Sequence, residues 1–193
     1  MIDTQKIEQL RNAINTRFPE LEEMHQMATI KCLDLTLRRE YAEQIAAGIK
    51  TVEYRWPIPF WEKRFENENV WKFLDKYESD YWNLVEQVFP DFKKETFSLN
   101  ILRKTTPFVN RVETIHFHNY NTNGWKLTVE CTYNNFCEPD NEGKEWLHSF
   151  NSFEQDEEFD EWERNKTPIE KRDGYYFFVI GKVLDGRGLE CLK

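Results

Sequence analysis

The hydrophobic period of this chain changes twice within one short stretch, residues 33–56, LDLTLRREYAEQIAAGIKTVEYRW. Leu33, Leu35 and Leu37 alternate with Asp34 and Thr36, the period of a half-buried strand. Tyr41, Ala42, Ile45 and Ala46 then repeat at helical spacing, and Gly48 stands where a helix takes a left-handed stop. Period two returns at Val52, Tyr54 and Trp56, with Thr51, Glu53 and Arg55 between them. A strand, a short helix, a glycine and a second strand follow one another with no room for a linker. This unit restricts the chain to folds that mix sheet and helix.

The flanking segments extend the pattern. Residues 4–16 read as a helix through Ile7, Leu10 and Ile14. A second helix follows, with Pro19 in its first turn and Leu21, Met24 and Met27 or Ala28 on one side. Residues 57–104 read as a mostly helical insertion, because such a length is too great for a plain loop. Its apolar positions are Trp61, Phe65, Trp71 and Leu74, then Tyr81, Trp82, Val85, Val88 and Phe89, with Ser79 as a cap. After Pro107, VETIHFHN puts Ile115 and Phe117 on one face and Thr114, His116 and His118 on the other. In WKLTVECTY, Trp125, Leu127, Val129, Cys131 and Tyr133 alternate with polar residues. Asn123-Gly124 ahead of it predicts a hairpin between the two strands. YYFFVIGKVL is apolar on both faces and reads as a covered central strand.

Composition narrows the function classes. The chain has 193 residues and 16% aromatics, with 15 Phe and 7 Trp, so its core leans on large rings. No apolar run is long enough to span a bilayer and no secretory leader is evident, so the expectation is a cytoplasmic protein with no membrane partner. The net charge is −9, but residues 151–163, NSFEQDEEFDEWE, carry seven acids and no base. The other 180 residues are therefore near neutral, at −2. A local basic groove is compatible with that balance, although no overall basic signature marks a nucleic-acid binder. The four cysteines, Cys32, Cys131, Cys137 and Cys191, form no CxxC pair, and Cys32 and Cys131 fall in apolar-patterned strands as small hydrophobes.

The charged residues of GIKTVEYRW carry the chemistry. Side chains alternate along a strand, so Glu53 and Arg55 share a face, with Val52, Tyr54 and Trp56 opposite. Lys50 lies at the turn after Gly48, where a glycine lets the backbone bend sharply. A lysine there can hold a phosphate, and a glutamate can act as a base or orient the two cations. The plainer reading is an ion-paired row bracing a strand end. His116 and His118 form H-x-H on the polar face of a strand, but no third ligand is suitably placed, His25 and His148 being distant. No metal and no cofactor is expected. Nor is there a Walker loop, a GxSxG elbow, an HExxH helix or a dinucleotide fingerprint.

The wider string LDLTLRREYAEQIAAGIKTVEYR resembles the opening of the ASCH domain, a PUA-like β-barrel family. That opening is a strand, a short helix ending in Gly-x-Lys, and a strand carrying Glu-x-Arg. Gly48, Lys50, Glu53 and Arg55 occupy all four positions, and RVETIHFHN and YYFFVIGKVL resemble later strands of the family. The resemblance implies an α+β fold, a PUA-like (ASCH-type) mostly antiparallel β-barrel with N-terminal helices and a helical insertion. The division it suggests is an N-terminal helical extension over 1–28 and an ASCH/PUA-like domain over 29–193. That domain would contain the insertion, about 57–104, and the acidic segment, 151–163.

The function it implies is binding of RNA or a nucleotide-like ligand at a charged cleft. Lys50 and Glu53 are the candidate catalytic pair, and Arg55, Thr51, Tyr54 and His116 the candidate ligand-binding residues. One resembling branch hydrolyses N4-acylated cytidine with the motif lysine, a threonine three residues later and a further glutamate; another branch is linked to ribonuclease activity. Here Glu53 stands at the threonine position, Thr51 is out of place, and Glu113 and Glu130 both remain candidates for the further glutamate. Two alternatives stand beside binding. One is a hydrolase of modified nucleosides or RNA. The other is a non-catalytic protein-interaction module built on the insertion and the acidic segment.

Overall fold

The computed structural model describes residues 4–90, 101–119, 124–137 and 174–190. The acidic segment 151–163 lies outside the described residues. The chain is α+β and divides into two compact units, residues 1–29 with 62–110 and residues 30–61 with 111–193. Among the described residues, no helix is long and apolar enough to cross a membrane.

The first unit is helical. It contains α1 (Thr4–Arg17), α2 (Glu20–Met27), α5 (Glu68–Val88), the end of α4 (Pro59–Phe65) and helical residues 101–105. The helical spacing seen in sequence is what fills its core. Ile7, Leu10 and Ile14 of α1 are buried, as are Val70, Phe73, Leu74, Tyr81 and Val85 of α5. Pro19, with φ −60°, leads into α2 as its fixed φ favours. The N-terminal helices and the inserted helices thus form one unit, although the sequence separates them as an extension and an insertion.

Two details differ from the sequence reading. The span α5 is two helices joined by a kink at Tyr77 (φ −125°, ψ 19°), so the break falls two residues ahead of Ser79, which lies inside the second helix rather than at its cap. The cap at the start of α5 is Asn67, whose side chain accepts from the Asn69 amide at 3.0 Å and donates to the Pro107 carbonyl at 3.1 Å. Trp71, placed on the apolar stripe, is exposed and lies edge-on to Phe108.

The second unit is built on a five-stranded sheet, in the order β1-β3-β4-β5-β2. Its strands are β1 (Thr29–Thr36), β2 (Val52–Arg55), β3 (Arg111–His118), β4 (Lys126–Cys137) and β5 (Tyr175–Arg187); the short helix α3 (Arg39–Ala46) joins β1 to β2. The pairs β3–β4, β4–β5 and β5–β2 are antiparallel. Contacts between β1 and β3 climb in the same direction: Lys31 with Thr114, Asp34 with His116, Leu37 with His118. That pair is therefore parallel, and the sheet is mixed.

The predicted alternation holds in β1, where Leu33 and Leu35 are buried, and through the β3–β4 hairpin, where Ile115, Phe117, Leu127 and Val129 are buried. Cys32, on the same face as Asp34, is exposed on β1 rather than packed as a small hydrophobe. The alternation fails at one place. Past Cys131 the register between β4 and β5 shifts, and Tyr133 emerges at 39% exposure. Gly181 sits in this irregular stretch, where a Cβ would come within 2.7 Å of the Thr132 methyl. In β5, Tyr175–Phe178 are buried on both faces as expected, whereas Lys182–Asp185 are exposed.

Candidate functional site

The charged residues of β2 are delivered by the end of α3. Ile49 N–H donates to the Gln44 carbonyl at 2.9 Å and Gly48 N–H to the Ile45 carbonyl at 3.0 Å, the two bonds of a Schellman stop. Gly48 supplies the positive φ, +74°, that this stop requires. The chain reverses and places Lys50 two residues before β2. Ile180 N–H then donates to the Thr51 carbonyl, and Val52–Arg55 pair in register with Val179–Tyr176.

Alternation sorts the β2 side chains as the sequence implies. Val52 packs in a buried cluster with Cys137, Tyr175 and Phe177, against which Tyr54, Trp56 and Val179 lie. Glu53 and Arg55 take the other face. There the guanidinium of Arg55 binds the Glu53 carboxylate through Nη1, which also donates to the Tyr54 carbonyl at 3.0 Å. Nη2 donates to the carbonyl of Thr36 at 2.9 Å. The second oxygen of Glu53 faces Lys50 Nζ at 3.7 Å.

Burial sets this cluster apart from a solvated strand edge. The side chains of Lys50, Glu53 and Arg55 are 11%, 4% and 17% exposed. A buried carboxylate is tolerable because both of its oxygens face cations. The balance is nonetheless uneven, with two cations to one carboxylate. Arg55 fills its donors with Glu53, Tyr54 and Thr36. Among the described residues, Lys50 has one carboxylate beyond ordinary hydrogen-bond length and two aromatic faces, Tyr41 at 5.5 Å and Tyr54 at 5.2 Å. Its ammonium keeps donor capacity for a further anion.

Aromatic rings frame the group. Trp61 lies 5.9 Å from the Arg55 guanidinium, and Phe60 meets Trp61 edge-on at 4.6 Å while remaining 60% exposed. Trp56 packs on Tyr175. Thus Lys50, Glu53, Arg55 and Tyr54 are brought together, and Thr51 contributes its backbone to the pairing with β5. His116 is elsewhere in its contacts: its Nδ1 lies 2.8 Å from Asp34 Oδ1 on β1. Glu113 is exposed on β3 and Glu130 stands opposite Thr114. The described contacts place neither glutamate at Lys50. Among the described residues, no three His, Cys, Asp or Glu side chains are grouped to hold a metal ion.

Sequence reasoning missed two participants. The Thr36 carbonyl is a backbone group on another strand, and no residue pattern announces it. Tyr41 was legible only as a member of the α3 stripe; its place three positions ahead of the Gln44 carbonyl that caps the helix carried no chemical signal. The chain matches no protein-family profile, no curated protein and no solved structure.

Proposed function

We propose that the sheet unit is an ASCH-type, PUA-like barrel that binds RNA or a nucleotide-like ligand at Lys50. The observation that carries the reading is the surplus cation: a largely buried triad of net charge +1 in which Lys50 retains unfilled donors. Burying an uncompensated ammonium is costly, and an anion bound beside it would offset that cost. A phosphate fits a lysine acting as a point charge. The rings of Phe60 and Trp61 supply a stacking surface for the planar part of the same ligand. The barrel reading draws support from Arg55, which reaches from one edge strand, β2, to the Thr36 carbonyl at the end of the other, β1.

Binding is favoured over hydrolysis because Glu53 already spends one oxygen on Arg55 and turns the other to Lys50. A carboxylate so engaged orients cations rather than collecting protons. The test is titration of short single-stranded RNAs and nucleosides into wild type and Lys50→Ala. Binding that falls with added salt and is lost in the variant supports the reading. Equal signals from both proteins, or none above background at any salt concentration, would remove it.

A further inference from the structure

The register of the sheet sets two cations and a histidine side by side. His118 of β3 stands directly opposite Lys126 of β4, and Lys126 directly opposite Arg187 of β5. Directly opposed residues share a face, and the neighbouring Phe117 and Leu127 are buried, so this row lies on the outer face. Like charges directly opposite one another destabilise a sheet. Acids outnumber bases in this chain, 35 to 26, so a neutralising partner was available in composition. None has been placed: among the described residues, Lys126 and Arg187 make no ion pair and no side-chain hydrogen bond. Asp185, one row along and opposite Thr128, pairs with neither.

Position adds to this. β2 covers β5 only over Tyr176–Val179, so Arg187 lies well beyond the paired stretch and is exposed. Lys126 is half-buried, which weakens solvent screening of its charge. Arg39 of α3 reaches the same end of the sheet, donating to the Gly188 carbonyl at 3.2 Å, but it is already paired with Glu43 and Glu190. Among the described residues, Lys126 and Arg187 are the cations at this end of the sheet without an ion pair. Three adjacent strands at a spacing of about 4.8 Å give it a length of about 10 Å.

We propose that this row is an anion site for two linked phosphoryl groups, one at Lys126 and one at Arg187, with His118 extending it. The fork of Arg187 takes a phosphate bidentately, and Lys126 takes its neighbour as a point charge. Such a pair of phosphates occurs in the pyrophosphate of a nucleotide and in adjacent phosphodiesters of a single-stranded polynucleotide. The site is separate from the Lys50 triad, from which none of these residues receives a contact, and it stands whether or not Lys50 binds a ligand.

The experiment compares wild type, a Lys126→Gln/Arg187→Gln double variant and Lys50→Met by calorimetry at low salt, with inorganic pyrophosphate and with an octauridylate as probes. The double variant should weaken binding by about tenfold or more and lower the magnitude of the log–log salt slope for the oligonucleotide by about 2. Its thermal midpoint should hold or rise, because a repulsion has been removed. Lys50→Met should leave pyrophosphate binding at the row intact. Weakening confined to pyrophosphate identifies a nucleotide as the source of the phosphates, and weakening confined to octauridylate identifies a polynucleotide. No binding of either probe by wild type, or binding unchanged in the double variant, overturns the proposal. If both probes bind the double variant as they bind wild type, and octauridylate binding is lost in Lys50→Met, the row falls while the Lys50 reading survives.

Discussion

The buried hydroxyls and the buried amide of the helical unit close on one another, whereas the buried triad of the sheet unit is charged and does not balance. In the helical unit the Tyr81 hydroxyl meets the Thr105 hydroxyl at 2.8 Å, and Thr105 donates onward to the Ile101 carbonyl at 2.6 Å. Asn67 is buried with both ends of its amide engaged. These groups satisfy each other, and what they achieve is a fixed local geometry. In the sheet unit Glu53 is held between two cations, one of which keeps spare donors. A closed neutral network asks for nothing further, whereas a buried charge in excess leaves a place for a ligand.

The contrast can be broken from either side. The largest effect should come from Glu53→Ala, which strands Lys50 and Arg55 without a counter-charge. Loss of one partner from a buried pair costs about 3–5 kcal/mol, readable in urea unfolding. A loss under about 1 kcal/mol would mean that the triad is hydrated and gains little from its carboxylate. Asn67→Ala should cost about 1–2 kcal/mol, since it removes the cap of α5 and the tie to Pro107. Tyr81→Phe should cost about 1 kcal/mol, because Thr105 keeps its bond to Ile101. Were Tyr81→Phe as damaging as Glu53→Ala, the distinction between the two units would collapse.

The smallest effect is in the pH dependence. Burial pushes the Cys131 thiol up to about 12, partly offset by a backbone hydrogen bond at Tyr133. Burial also raises the Tyr81 phenol, against the opposing effect of its hydrogen bond with Thr105. In the unfolded chain a thiol ionises near pH 8.5 and a phenol near pH 10, about the ordinary values. The unfolded form therefore holds fewer protons in alkali, and stability falls as pH rises. The contribution of Cys131 is complete below about pH 8.5 and is lost as pH climbs toward about 12. Cys131→Ala should flatten the first part of that decline in a series of urea midpoints; an unchanged slope would count against burial as the cause. A thiol reagent on the native protein should modify exposed Cys32 faster than buried Cys131 or Cys137.

Much of this fold could be read from alternation and from one glycine. Leu33 and Leu35, Leu127 and Val129, and Ile45 with Gly48 all sit where period and stop signal put them, because local patterning determines which face of an element is apolar. What escaped depends on partners distant in sequence. The register shifts that expose Tyr133 arise between β4 and β5 and leave no mark in β4 alone. Cys32 is exposed because period two from Leu33 and Leu35 puts it on the outer face, so its thiol is not a core group. The break at Tyr77 falls two residues from the Ser79 start that the sequence offers, but the rings of Phe18 and Phe73 gathered around it are not announced there. The joining of N-terminal and inserted helices is invisible for the same reason.

The candidate site divides along the same line. That Glu53 and Arg55 share a face followed from alternation, and Gly48 explained how Lys50 joins them. Their depth of burial, the bond to Thr36 and the surplus of charge required the tertiary structure. The opposition of Lys126 and Arg187 is likewise a property of register, not of either strand.

The central claim is that Lys50 is a cation held for a ligand rather than for the fold, and Lys50→Met tests it most directly. Methionine keeps the unbranched stem between Tyr41 and Tyr54 and removes only the charge. Measured together, urea stability should stay within about 1 kcal/mol of wild type or rise, while affinity for a short single-stranded RNA or its nucleotides drops by about tenfold or more. A variant that loses several kcal/mol, by the scale of a broken buried pair, yet binds as well as wild type would show that Lys50 serves Glu53 alone.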